Sequence, residues 1–376
     1  MIIKNVKIVT PDNVIEKGYI KIKDNLIDSI CSGDYLENED DVVDGNGKIA
    51  MPGFIDIHTH GSCGIDFMDA GCDDYKTIEK AFYSEGITSF LATTLTADFD
   101  SLSKVCKTVA SVKDEIPSLA GIHFEGPYIN EKYKGAQNAE YIRNPNIEEF
   151  NKLVELSNNN VRYISMAPEK EGALDFIKNA REKGVVVSAG HTDATFDDIK
   201  NAIDVGLTNT THTHNAMSGH HHRNPGVVTA AMYFDCLYTE LICDGIHVCE
   251  NTLKTFYKIV GPDRFVMITD ALQAKHSDKK EFKLFGLDCV KKNGAAYLTT
   301  GPLAGSLLTM DQGLRNVKKF TGASLVDLAK ISSRNAAKSI GLLDRGELSK
   351  GKLADIVLLN DDLTIDSVYK LGRRVY

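Results

Sequence analysis

The sequence has no long apolar run. No window of its 376 residues approaches the roughly 18 consecutive apolar side chains that a membrane-spanning helix needs. Nor does it carry an excess of positive charge. Lysine and arginine number 43 against 52 aspartates and glutamates, a formal net charge of -9. That balance argues against non-specific nucleic-acid binding, but it leaves an anionic small substrate open, because local charge decides that. The first residues, Met1-Ile-Ile-Lys-Asn-Val-Lys, lack both a long apolar stretch and a small-residue cleavage site. None of the eight cysteines forms a C-x-x-C pair, so reduced thiols and a cytoplasmic location are expected. Short internal repeats and low-complexity stretches are absent too. What remains is an ordinary globular composition, 43% hydrophobic and 25% charged, on a chain long enough for a large core.

The two ends of the chain read alike. Ile2-Ile-Lys-Asn-Val-Lys-Ile-Val, Tyr19-Ile-Lys-Ile-Lys and Leu26-Ile-Asp-Ser-Ile are strand-like, with Asp24-Asn as a turn signal. Ala354-Asp-Ile-Val-Leu-Leu and Ile365-Asp-Ser-Val-Tyr repeat that character near the C-terminus. The expectation is a small β-sandwich domain built from both ends, residues 1–51 and 346–376. The middle, residues 52–345, alternates instead. Strand-like runs near 53–58, 87–93, 119–125, 161–166, 185–190, 208–212, 239–243 and 265–270 are separated for the most part by helical patterns, as at 73–85, 98–113, 146–157, 171–183 and 195–205. Eight strands alternating with helices predict an α/β fold of the (β/α)8, TIM-like barrel type rather than an open sheet. The segment Lys279 to Thr300 interrupts the pattern and is expected to be an inserted hairpin.

All eleven histidines fall between His58 and His276. In Met51-Pro-Gly-Phe-Ile-Asp-Ile-His58-Thr-His60-Gly an apolar stretch ends in His-x-His, and side chains two apart on a strand point the same way. Other potential ligands also close strand-like runs: Glu125 the third, His191 the fifth, His212 the sixth and Asp270 the eighth. Taken singly, each has an ordinary structural explanation, such as a turn residue for Glu125 or a helix N-cap for Asp270. Together they lie in barrel order at the strand ends where parallel α/β folds keep their active sites. Imidazole and carboxylate donors suit zinc, iron, cobalt or manganese, and three protein ligands plus water suit hydrolysis. A second ion fits between His58, His60 and Glu125.

Seven motifs, in order, make the pattern more specific: His123-Phe-Glu125-Gly-Pro-Tyr, Ala189-Gly-His191-Thr-Asp-Ala-Thr, His212-x-x-Asn215-Ala216-Met217-Ser, His222-Arg223-Asn-Pro-Gly, Asp244-Gly-Ile-His247, Thr269-Asp270-Ala and Leu303-Ala304-Gly305-Ser306. With the Pro-Gly-Phe-Ile-Asp-x-His-x-His entry they resemble the amidohydrolase superfamily and, within it, the N-acetylglucosamine-6-phosphate deacetylases, over nearly the whole chain. The resemblance implies that Glu125, His191 and His212 bind the catalytic divalent metal, zinc before iron, cobalt or manganese. His58 and His60 would serve an optional second ion. It implies Asp270 as general base and His247 against the acetamide or sugar. Ala136, Gln137, Asn215, Ala216, His222 and Arg223 would contact the substrate, with Leu303, Ala304 and Gly305 in a loop closing over the sugar. Arg223 would be supplied across the interface of a homodimer. The chain departs from the commoner pattern in keeping both first-strand histidines, in Leu272 after Thr269-Asp270-Ala, and in Gln137 where some members have histidine.

The residues support the same chemistry. Arginine makes bidentate contacts to phosphate, and backbone amides at Asn215-Ala216, near a helix start, suit an anion. His220-His-His-Arg223 reads either as a solvated loop or as part of that phosphate site; its place among the motifs favours the second. The expected reaction is metal-dependent hydrolysis of the acetamide of a phosphorylated N-acetyl amino sugar, in amino-sugar catabolism, with no nucleic-acid or membrane partner. The nearest alternative is the galactosamine epimer. A cyclic-amide hydrolase or deaminase of the same superfamily is a wider one, but many of those carry a fourth-strand lysine, and here that strand ends Ile164-Ser-Met-Ala-Pro. A catalytically dead binding protein would have lost a ligand or Asp270, and none is lost.

Overall fold

The computed structural model describes residues 1–36 and 41–376; residues 37–40, inside the predicted N-terminal β segment, lie outside the described residues. Eight parallel strands form the barrel: β1 (Phe54–Thr59), β2 (Ile87–Thr93), β3 (Leu119–Glu125), β4 (Val161–Met166), β5 (Val186–Ala189), β6 (Asn209–Thr210), β7 (Tyr238–Ile242) and β8 (Phe265–Ile268). Each pairs with the next in sequence order. They are buried almost throughout, which is why they read as near-continuous apolar runs. The ring is closed just beyond β1 and β8. Asp270 donates its backbone N–H to the His58 carbonyl, and His60 donates its own to Ala271, both at 2.8 Å. This seam sets the first-strand histidines beside Asp270.

A helix follows each strand, from Cys72–Tyr83 after β1 to Met310–Thr321 after β8. Local chemistry fixes their starts. Asp98 accepts the Ser101 N–H at 2.8 Å ahead of Phe99–Val112, whose Leu102, Val105, Cys106, Val109 and Val112 recur on one face and are buried. Thr195 and Asp198 form a capping box at Phe196–Asp204. The observed strands and helices match the predicted ones to within a few residues. All eight cysteines are free, and among the described residues no helix is long and apolar enough to cross a membrane.

Two additions shape the barrel. After β8 comes an antiparallel sheet of Glu281–Leu284, Leu287–Lys292, Ala295–Leu298 and Leu303–Ser306. It has twice the strands of the predicted hairpin. Its last strand docks on the β8 end: Ser306 N–H reaches the Asp270 carbonyl at 2.8 Å, and Leu272 N–H reaches that of Ser306 at 3.1 Å. Gly305 is required there, because a Cβ would lie 2.9 Å from the Leu272 side chain and 3.2 Å from the Asp270 carbonyl oxygen. The second addition joins the chain ends in one sheet. Ile49–Pro52 pairs with Ile2–Val9 on one side and Ile356–Leu359 on the other, then leads directly into β1. Ile3, Ile8, Ile20, Ala354, Ile356 and Leu358 share one apolar cluster.

Candidate metal and substrate site

Glu125 ends β3, and its Oε1 is the focus of the site. His191 Nε2 lies 3.0 Å from it, His212 Nε2 3.1 Å and His58 Nε2 3.3 Å. His60 Nε2 lies 3.4 Å from Oε2 of the same carboxylate and 3.1 Å from Asp270 Oδ1. All five ligand candidates are buried. Three backbones that deliver these groups leave their strands in the left-handed region: His191 at φ 49°, His212 at φ 30° and Asp270 at φ 47°. Non-glycine residues rarely adopt it, and such strain gathers at functional sites. Here it turns the side chains in over the barrel mouth.

The donors fit a divalent metal. His191 and His212 present Nε2 atoms 3.1 Å apart. His191 donates its Nδ1–H to the Tyr133 carbonyl at 2.8 Å, so its Nε2 keeps a free lone pair. His58 Nε2 is buried with no hydrogen-bond partner. Two triads, Glu125/His191/His212 and His58/His60/Glu125, each bring their ligand atoms within 4.8 Å of one another. Burial alone would raise the Glu125 carboxyl; the facing histidines, His58 foremost, hold it well below the usual carboxylate range. Burial likewise opposes charge on Asp270, and His58 and His60 outweigh it and lower its pKa.

Around these groups lies a shell that the sequence reading did not assign. Asp56 accepts the Thr269 hydroxyl at 2.6 Å and ties β1 to β8; burial pushes its carboxyl up to about 6. His123 is held between Thr93 and Ser165, and burial beside His58 lowers its pKa far below normal, leaving a neutral ring. Ser165, near the end of the fourth strand, bonds His123 and Thr211 at 2.7 Å each. Glu240, on β7, bonds His58 Nδ1 at 3.1 Å. Its only sequence signal was a carboxylate inside the strand-like run Tyr238-Thr-Glu-Leu-Ile.

A cavity of about 330 Å³ opens over the carboxylate–imidazole cluster. Of the predicted residues, His60, Glu125, Ala136, Gln137, His191, His212, Asn215, Ala216, His247, Asp270, Leu303, Ala304 and Gly305 line it. Leu95, Lys132, Tyr133, Gly135 and Leu284 line it as well and were not foreseen. His58 is fully buried and outside the lining. His247 donates Nδ1–H to Asp244 at 2.6 Å; burial opposes its charge, but this carboxylate raises its pKa. Gln137 spends its amide on Glu125 Oε2 at 2.6 Å and on the Thr96 N–H at 2.8 Å. His222 and Arg223 lie apart from the cavity, in an exposed loop.

Residues 49–375 match the amidohydrolase family. The chain is 37% identical to an N-acetylglucosamine-6-phosphate deacetylase of Lysinibacillus sphaericus, over 99% of this chain and 97% of that protein. It is 30% identical to an N-acetylgalactosamine-6-phosphate deacetylase of Escherichia coli O157:H7, over 98% and 97% of the two chains. Its fold superposes with a TM-score of 0.94 on N-acetyl-D-glucosamine-6-phosphate deacetylase from Mycobacterium smegmatis, an aspartate-to-alanine variant in complex with N-acetyl-D-glucosamine-6-phosphate; identity is 29%, and 100% of this chain and 99% of that one are covered. With the barrel, the strand-end carboxylate–imidazole cluster and full-length similarity in agreement, the chain belongs to the amidohydrolase family, among the N-acetylglucosamine-6-phosphate deacetylases.

Proposed function

We propose that the protein hydrolyses the acetamide of N-acetyl-D-glucosamine 6-phosphate to glucosamine 6-phosphate and acetate. The observation that carries this reading is the meeting of Glu125, His191 and His212 at one buried point beside Asp270, on the floor of a cavity sized for a small molecule. Glu125, His191 and His212 would hold a catalytic divalent ion, zinc by donor type, and His58, His60 and Glu125 a second. Such an ion supplies Lewis-acid polarisation of a carbonyl and lowers the pKa of water.

The chain's own residues supply the rest. Asp270 accepts a proton from the attacking water and returns it to the amine nitrogen as the C–N bond breaks. His247, oriented by Asp244, donates a hydrogen bond to the acetyl oxygen as charge develops there. Ala136, Gln137, Asn215 and Ala216 surround the sugar and its phosphate, and Leu303, Ala304 and Gly305 cover it. His222 and Arg223, remote from the cavity of their own chain, would reach the phosphate of a partner's substrate in a homodimer. The expected setting is cytoplasmic amino-sugar catabolism.

A second reading, the galactosamine epimer, is favoured by the 30% identity to a relative named for it. Kinetic comparison of the two 6-phosphorylated N-acetylhexosamines, with metal analysis of the same sample, tests both. The gluco sugar is expected to have the higher kcat/KM. A higher value for the galacto sugar would move the assignment to its epimer, and no acetate from either would overturn both.

A further inference from the structure

Glu240 has no exposed surface and lies outside the cavity. Its Oε2 accepts two bonds, from His58 Nδ1–H at 3.1 Å and from the His212 backbone N–H at 3.2 Å. Its Oε1 accepts the Tyr163 hydroxyl at 2.5 Å. Its own carbonyl accepts the Thr213 N–H at 2.8 Å. One carboxylate thus ties β1, β4 and the turn after β6 together beneath the ligand cluster.

A carboxylate only accepts hydrogen bonds, so the nitrogen of His58 that faces it carries the proton. That makes Nε2 the atom that can offer a lone pair to an ion, and it lies 3.3 Å from Glu125 Oε1 and 3.4 Å from Asp270 Oδ1. Charge points the same way. Two dications among neutral imidazoles would have the carboxylates of Glu125 and Asp270 at close range. Uncompensated charge in a buried site is costly, and a third carboxylate one imidazole away offsets part of it.

We propose that Glu240 is a positioning residue for the metal site, fixing the tautomer of His58 and supplying buried negative charge for an ion at His58, His60 and Glu125. The second half of this proposal rests on the two-ion reading above; the first half does not.

The test is Glu240→Gln in the zinc-loaded protein. The amide keeps the shape of the side chain, and the Tyr163 hydroxyl can turn to accept from it, so the fold is retained while the charge is lost. Imidazole N–H resonances read the tautomer, and competition with a chelator reads zinc affinity. A downfield Nδ1–H signal should vanish in His58→Asn and move upfield in Glu240→Gln. The weaker zinc constant should rise roughly 10–100-fold while the tighter one stays within about threefold. Tyr163→Phe, which leaves the carboxylate charged, should change the weaker constant less than Glu240→Gln does. A His58 proton on Nε2, or a signal and zinc constants indifferent to Glu240→Gln, overturns the proposal. If the wild type takes up one zinc while the Nδ1–H signal still depends on Glu240, the two-ion reading fails and the control of His58 stands.

Discussion

Gln137 donates its side-chain amide to Glu125 Oε2 at 2.6 Å, while its own oxygen accepts the Thr96 backbone N–H at 2.8 Å. A loop residue foreseen as a substrate contact therefore also clamps the central carboxylate of the ligand cluster. With Oε2 held, Oε1 is the oxygen that meets His191 and His212. Gln137→Leu should weaken metal binding by roughly 10–100-fold, the range for loss of a hydrogen bond behind a ligand. Chelator competition measures it. Unchanged affinity with a raised KM would mean that Gln137 serves the substrate alone.

The parts that were legible and those that were not differ for physical reasons. The barrel was legible because buried parallel strands are apolar on both faces, and amphipathic helices with Asp98 or Thr195 at their starts punctuate them. Glu125, His191, His212 and Asp270 were legible because each ends such a run. Glu240 was not: it lies within a strand, and only closure of the barrel brings β7 against His58. Gln137 and Tyr133 act from a loop after β3, where no periodicity reports which groups turn inward. The fourth strand after β8 was missed because Leu303–Ser306 is short and contains a glycine, weak strand signals in isolation.

Glu125→Ala, His191→Ala and His212→Ala should each remove the catalytic ion. The His191 and His212 Nε2 atoms lie 3.0 and 3.1 Å from Glu125 Oε1, so each variant takes one ligand from the same triad. His58→Ala and His60→Ala should lower the total metal content and leave that ion in place. Metal analysis after dialysis separates the two groups. Equal loss from all five variants would point to one shared centre.

Lys275 and Glu85 form an ion pair of 2.9 Å with both side chains almost wholly buried, and the lysine ammonium also lies 4.7 Å from the Phe82 ring centroid. The pair pins the loop after β8 to the end of the first barrel helix. Lys275→Met leaves a buried carboxylate without its main partner, and about 3–5 kcal/mol of stability should be lost. Adding Glu85→Leu should restore part of it, since the stranded charge is then gone. Denaturant melts of the single and double variants decide this; a double variant no more stable than the single would contradict it.

Asp270→Asn keeps the size of the side chain and loses its basicity. Folding and the ion at Glu125, His191 and His212 should be retained, and kcat should fall by at least about 10²-fold, the lower end for general acid–base catalysis. Single-turnover acetate release on metal-replete protein reads the chemical step. Near-normal release would assign the base elsewhere.

The role proposed for Arg223 requires a homodimer. It is exposed beside His221 and His222, and among the described residues its guanidinium makes no hydrogen bond or ion pair. Arg223→Ala should therefore leave the stability of the single chain nearly unchanged. If the guanidinium reaches the sugar phosphate of a partner subunit, the variant loses a charge-assisted bond of roughly 1.5–3 kcal/mol, a rise in KM of about 10–150-fold. The energy acts on the phosphate, remote from the scissile amide, so a substrate without phosphate should be turned over as before. Part of the loss can also enter kcat, because remote binding positions the acetyl group. A variant forced to be monomeric should show the same defect while keeping Arg223, and mixing it with Arg223→Ala should not rescue either unless dimers reform. Equal kinetics for wild type and Arg223→Ala on the phosphorylated sugar would return the loop to solvent and remove the shared phosphate site.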